Sequence, residues 1–344
     1  MAYTTINKSS EHFNTKLYTG NGSTQSITGV GFQSDWSWFK SRTNAEYHQL
    51  IDAVRGNTKI IHSNHSQAET TSSSSLTSFD SDGFTLGNND GVNNGSETFA
   101  SWNWKANGQG SSNTDGSITS TVSANTTSGF SIVKYTGTGS NTTVGHGLGV
   151  APSMVITKRL SGADDWVVWH KGLANFATYL FLNSTSGEMG SVAAYQNIAP
   201  TATLLYPGSD GRTNGNGQTY ISYCFADVQG YSKFSSYTGN GATLGPFVYT
   251  GFKPAFVMFK KTSGSADNWQ LWDNKRDTYN PVEKALHPDI ANTASTDQDI
   301  DFLSNGFKIR SSVAHINQSG VKSIYMAFAE APLVGSNGVT AKAR

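Results

Sequence analysis

One turn sequence is written three times in this chain, and that recurrence limits its fold more than any other feature. Tyr18-Thr19-Gly20-Asn21-Gly22, Tyr135-Thr136-Gly137-Thr138-Gly139 and Tyr237-Thr238-Gly239-Asn240-Gly241 each lead through a polar stretch into an apolar segment that closes on basic residues: Lys40 and Arg42, Lys158-Arg159, and Lys260-Lys261. An aromatic segment follows, with Trp166 and Trp169 in the second copy and Trp269 and Trp272 in the third, whereas the first has Tyr47 and Leu50 there. Asp52 and Arg55 match Asp273 and Arg276, and the second copy departs with His170-Lys171. Ser81-Asp82-Gly83-Phe84 answers Ser304-Asn305-Gly306-Phe307, and each copy closes on an aromatic run, Phe99 to Trp104, Tyr220 to Ala226, and Ile324 to Ala329. A unit of ~100 residues is a common domain size, so each copy is long enough for a core of its own.

The segments between turns are short, rich in β-branched and aromatic residues, and bounded by Gly, Pro, Asn and Ser, as in Ser153 to Lys158 and Ala255 to Lys260. These are strand signals. Helical spacing is predicted only near Ala45 to Val54 and around Pro281 to Leu286, where Pro281 suits a first helical position. The predicted fold is all-β: three tandem β-sandwich or jelly-roll-like, lectin-like units, since a propeller blade needs only ~40 to 45 residues. The expected boundaries are an N-terminal segment 1–12, units at 13–106, 129–232 and 233–334, a Gly/Ser/Asn/Thr stretch at 107–128 that is an extended linker or a strand lying along a partner chain, and a polar tail at 335–344 that is frayed or docked on a neighbour. Units two and three abut, predicting one rigid body with the first unit more loosely attached.

Charge excludes several function classes. The 24 basic and 24 acidic residues cancel without long runs of either sign, so the chain has no nucleic-acid or anionic-membrane footprint. No signal-peptide pattern opens it and no run of about 18 apolar residues occurs, so membrane insertion and export by the usual route are not expected. The single Cys224, inside an apolar aromatic run, reads as a buried small hydrophobe.

Candidate chemistry is sparse. His62 and His65 beside Glu69 have metal-ligand types, but no amphipathic helix holds them, and no metal site or cofactor is expected. Asp80-Ser81-Asp82-Gly83 lacks the remaining acidic positions of a calcium loop and reads as a turn. Glycan hydrolysis needs two facing carboxylates about 5 to 10 Å apart, for which Asp164, Asp165, Asp273 and Asp277 are the candidates. No nucleophile elbow or phosphate loop occurs, and no catalytic residue is assigned. The tryptophans carry the remaining signal. Trp36 and Trp38 share a strand face, as do Trp102 and Trp104, whereas Trp166 and Trp169, like Trp269 and Trp272, point to opposite faces. Trp36, Trp38, Trp166, Trp169, Trp269 and Trp272 are therefore candidate binding aromatics, competing with a core role, for a sugar ring or a neighbouring subunit.

The repeat unit, Gly251-Phe252-Lys253-Pro254, Asp52-Ala53-Val54-Arg55-Gly56, Ser78 to Gly87 and above all the joint Tyr223 to Phe234 resemble a virion-protein family of tailed, often marine, bacteriophages over residues 13–334. That resemblance implies a non-enzymatic virion component of tail-fibre type, located in the particle and partnered by other tail or capsid proteins and by a host surface glycan or receptor. Alternatives are a capsid decoration or head-fibre protein and a glycan-active tailspike. Unpaired sheet edges and the surplus aromatic surface of Trp36, Trp38, Trp102 and Trp104 further predict a homo-oligomer, a trimer whose interface uses the first unit and the 107–128 linker.

Overall fold

In a computed structural model, which describes residues 3–335, 338 and 340, the chain is 41% strand and 6% helix, and its strands pair antiparallel in several sheets. One four-strand order occurs three times. In the first unit it runs Phe13–Thr19, Thr98–Trp104, Trp36–Ser41, Gln49–Asp52. In the second it runs Phe130–Thr136, Thr219–Phe225, Met154–Arg159, Val167–His170, and in the third Ser232–Thr238, Lys322–Pro332, Phe252–Lys261, Gln270–Asp273. Each order places the closing aromatic strand between the opening strand and the strand whose next-to-last residue is lysine. A small second sheet faces the first and third of these sheets: Gln25–Thr28, Gly83–Leu86 and Leu76–Asp80, and Phe247–Tyr249, Gly306–Ile309 and Ile300–Leu303.

The recurring turn has a side-chain reason. Four-residue helices, Asp90–Asn93, Gly211–Asn214 and Ala314–Asn317, each end on a fully buried asparagine. The carboxamide oxygens of Asn93, Asn214 and Asn317 accept from the backbone N–H of Asn21, Thr138 and Asn240 at 3.0, 2.8 and 2.8 Å. Their Nδ2 groups donate to nearby turn carbonyls. Tyr18, Tyr135 and Tyr237 each donate through the hydroxyl to the carbonyl just before that asparagine, at 2.7 Å. A Cβ on Gly20, Gly137 or Gly239 would stand 2.2, 2.5 or 2.3 Å from a backbone oxygen, and Gly22, Gly139 and Gly241 have φ of +70°, +76° and +69°. Only glycine meets both conditions.

Alternation along the strands divides the side chains between two interiors. Trp36, Trp38, Trp102 and Trp104 point to one face, as do Met154, Ile156, Tyr223 and Phe225, and Phe256, Met258, Met326 and Phe328; together they form one core shared by all three units. The opposite faces, with Phe39 and Ile51, Val155 and Cys224, or Val257 and Phe259, fill three separate outer cores. At the common centre Trp36 lies 4.3 Å from Tyr223 and 4.5 Å from Trp104 between ring centroids, and Trp104 lies 5.9 Å from Phe256. Each main sheet is thus buried on both sides, as in a layered domain with a sheet between two cores.

Several expectations need correction. Residues 107–128 are not a linker: Ser111–Asn113 and Ser120–Asn125 extend the second unit's sheet, which reaches eight strands with Thr178–Phe181 and Met189–Gly190 at its far edge. The first unit is not loosely attached, because its four tryptophans form part of the shared core. Helix is absent from Ala45 to Val54, where Gln49–Asp52 is a strand with every residue buried. Pro281 opens no helix either; Val282 bridges to Ile300. Most of the 335–344 tail lies outside the described residues.

Candidate functional site

The six tryptophans read as binding aromatics lie inside the protein. Trp36, Trp38, Trp166 and Trp269 belong to the shared core, Trp169 and Trp272 to outer cores, and none is more than 4% exposed. The three-residue spacing does send Trp166 and Trp169, and Trp269 and Trp272, to opposite faces, but both faces are covered. Trp36, Trp102 and Trp104 of the first unit are covered by Phe130, Tyr223, Phe225, Phe256 and Phe328 of the same chain, and Trp38 packs among Trp36, His48 and Trp102. The aromatic surface that called for a homotrimer is therefore closed within one chain.

What the recurring polar residues build instead is a ring of joints between units. In register, His48, Trp166 and Trp269 occupy one position, each two residues before the residue that faces Trp38, Ile156 or Met258. The Trp166 indole donates to the carbonyl of His62 in the first unit at 2.9 Å, and the Trp269 indole to Phe181 in the second at 2.8 Å. His48 Nε2 reaches His287 in the third at 3.0 Å. The circle closes. Asp52, His170 and Asp273 form a second set: the Tyr223 hydroxyl donates to Asp52 Oδ2 at 2.8 Å, the Trp102 indole to Asp273 Oδ2 at 3.0 Å, and His170 Nε2 to the Tyr325 carbonyl at 3.1 Å.

Charged groups sit inside these joints. Arg55 Nε meets Asp52 at 2.5 Å and Arg276 Nε meets Asp273 at 2.6 Å, all four side chains being at most 1% exposed. Burial pushes the Asp273 carboxyl up, but the Arg276 guanidinium and its hydrogen bonds outweigh this and hold it below the usual carboxylate range. Lys40, Lys158 and Lys260 end their strands with buried ammonium groups that donate to backbone carbonyls, Lys158 to Arg159, Asp164 and Ser66, and Lys260 to Thr185 and Asp267. Burial pulls all three down to about 8. These lysines and the three buried asparagines were missed as structural residues, although their recurrence at matching places was visible.

Three buried histidines share one tautomer. Nδ1 of His48 accepts from the Trp38 indole at 2.8 Å, that of His170 from Gly172 N–H at 2.9 Å and that of His146 from Leu148 N–H at 3.3 Å, so each proton is on Nε2. A second proton would point at an existing donor. Burial holds His48 and His146 below the ordinary histidine value and brings His170 to about 3. The unfolded chain, with ordinary histidines, binds more protons below pH about 6.5, so stability is complete above that pH and is lost as the pH falls toward 3. For His170 alone the drop corresponds to about 4–5 kcal/mol, at about 1.4 kcal/mol per pH unit. The melting temperature is therefore expected to be much lower at pH 4.5 than at pH 7.5. A flat profile would contradict the assigned tautomers.

The remaining residues singled out earlier serve local contacts. His62 Nδ1 faces the His48 carbonyl, Tyr47 packs on His62 and His65, and Glu69 binds Arg55 and Lys59. Asp82 accepts from the N–H groups of Gly29 and Gly31, tying the hairpin turn to the first unit's small sheet. Asp164 pairs with Arg159, Asp165 accepts from Asn183, and Asp277 pairs with Lys284. Cys224 is fully buried, and burial pushes its thiol up to about 12. A surface hollow of about 690 Å³ runs between Tyr3, Thr4, Thr126, Thr127 and Gln229; the acidic group lining it, Asp227, is paired with Lys171.

No curated protein and no solved structure matches this chain. A family model does match, over residues 8–332, nearly the whole length. The chain accordingly belongs to the DUF7483 family, described as a domain of unknown function.

Proposed function

We propose that this protein is a non-enzymatic structural component of a tailed-bacteriophage particle, of tail-fibre or appendage type, that contributes to attachment at the host surface. The observation that carries the reading is where the chemistry-bearing side chains are used. The buried Asp–Arg pairs, Lys158 and Lys260, His48 and His170, and Trp36, Trp166 and Trp269 hold the three units together, while Trp169 and Trp272 fill outer cores. A body held in this way is rigid, and it presents turns and sheet edges outward with apolar side chains such as Leu244, Tyr249 and Tyr279 exposed on them. The resemblance of the repeat and of the Tyr223 to Phe234 joint to virion proteins supports that location, and other tail or capsid proteins are the proposed partners.

The test is made on purified particles. Antibodies raised against the folded protein are expected to decorate intact virions at the tail or its appendages, and the protein is expected in the particle proteome at fixed stoichiometry. Its absence from particles that have shed all lysate protein would sink the proposal. Labelling on the head rather than the tail would replace the fibre reading with capsid decoration.

A further inference from the structure

The three joints of the ring are not alike. Where the second unit meets the first, Glu69 N–H donates to the Leu160 carbonyl at 3.0 Å and Asp164 N–H to Ser66 at 2.7 Å. Where the third meets the second, the same pair recurs: Glu188 N–H to Thr262 at 2.7 Å and Asp267 N–H to Thr185 at 3.1 Å. The corresponding bonds between 42–46 and 291–294, where the first unit meets the third, are not formed among the described residues. A cavity of about 360 Å³ lies there instead.

Register says which group is missing. Ile60 pairs with Thr70 and Ala285 with Ser295, so Ala294 stands where the first unit has Glu69. In the first unit the Glu69 carboxylate lies 3.2 Å from Arg55 NH1 and 4.0 Å from Lys59 Nζ. Arg276 and Lys284 are their counterparts, for Arg55 NH1 donates to the Lys59 carbonyl at 3.2 Å and Arg276 NH1 to the Lys284 carbonyl at 2.5 Å. Both line the cavity. From the facing unit comes Arg42, at the place of Leu160, and its guanidinium makes no hydrogen bond or ion pair among the described residues. Asp273 is paired with Arg276, and Asp277 with Lys284, so these two carboxylates attract Arg42 without forming an ion pair with it. Burial and the neighbouring Arg276 charge pull Arg42 below its ordinary value and outweigh the attraction of Asp273 and Asp277.

We infer that this open joint is a binding site for a sugar carboxylate, the ligand's carboxylate taking the seat that Glu69 fills in the first unit. Relative to the closed joint, a carboxylate has been removed at Ala294 and a guanidinium added at Arg42, and even with Asp277 present the joint is left more positive. Guanidinium groups bind carboxylates through paired hydrogen bonds. Thr43, Thr98, Thr293 and Thr296 ring the cavity with hydroxyls suited to a polyol, and the volume falls within the roughly 300–1,000 Å³ of small-ligand sites. The site deepens the attachment reading by naming a ligand class, the acidic sugars of a host glycan. The two fail separately, because virion labelling does not depend on this cavity.

The experiment is calorimetric titration of the intact protein with glucuronate, with glucose, acetate and inorganic phosphate as comparison ligands. Arg42→Leu and Ala294→Glu each copy the closed joint, and neither removes a group that the rest of the ring uses. Glucuronate is expected to bind the wild type and to bind each variant at least tenfold more weakly, while glucose does not bind; Ala294→Glu is further expected to raise the melting temperature by supplying the missing carboxylate internally. If Ala294→Glu does not fold, Arg42→Leu alone decides. Absence of glucuronate binding at about 10 mM, equal binding by both variants, or binding of acetate or phosphate as tight as that of glucuronate would overturn the inference.

Discussion

Asp52→Ala and Asp273→Ala are each expected to destabilise the protein by about 3–5 kcal/mol, the range for removing one partner of a buried ion pair. The cause is the group left behind. Arg55 has a fully buried side chain whose guanidinium donates to Asp52 and the carbonyls of Leu50 and Lys59; without Asp52 its charge stays buried with the part-exposed Glu69 as its remaining ion-pair partner among the described residues. The Tyr223 hydroxyl, reaching across from the second unit, loses its acceptor as well. Arg276 and the Trp102 indole are left in the same position by Asp273→Ala. Lys171→Ala is the control, since its pair with Asp227 is part-exposed and such pairs contribute about 0–1 kcal/mol. Urea denaturation followed by tryptophan fluorescence measures the difference. Losses near those of Lys171→Ala would mean that the joints contribute little.

A chain cut to residues 13–106 is expected not to fold alone, and the full protein to unfold in one calorimetric transition. Excision would expose Trp36, Trp38, Trp102 and Trp104 together, each at most 1% exposed in the whole protein, on a single sheet face. Small domains have little stability to spare against a loss of that size. Within the full chain, Trp36→Ala is expected to cost about 3–5 kcal/mol, because a large side chain between the first unit's sheet and the second's leaves a cavity that neither can close alone. Separate transitions, or a folded 13–106 fragment with dispersed amide resonances, would show that the shared core is not what joins the units.

The strand at Gln49–Asp52 shows why one prediction from sequence failed. Leu50 points into the shared core and Ile51 into an outer one, so the segment is apolar on both faces, and with its flanking residues it matched a helical period. A strand buried on both sides shows no alternation, and periodicity alone does not separate it from a short helix. The 107–128 stretch failed for the opposite reason. Its small polar residues carry no hydrophobic pattern, yet their backbone groups complete a sheet whose next strand, Phe130–Thr136, lies beside them.

By itself the sequence determined the all-β class, the turns and the recurrence, because these depend on local chemistry: glycine where a Cβ would strike a backbone oxygen, asparagine where a turn needs both a donor and an acceptor, and period-two alternation that assigns Trp166 and Trp169 to opposite faces. Only the tertiary structure decided that both faces are interior, that Trp36, Trp102 and Trp104 of the first unit are covered by the other two units, and that the ring has two closed joints and one open one. Those outcomes depend on which units lie side by side. A pair such as Glu69 with Arg55, or its absence at Ala294, acquires meaning only when the equivalent positions are superposed by register in space.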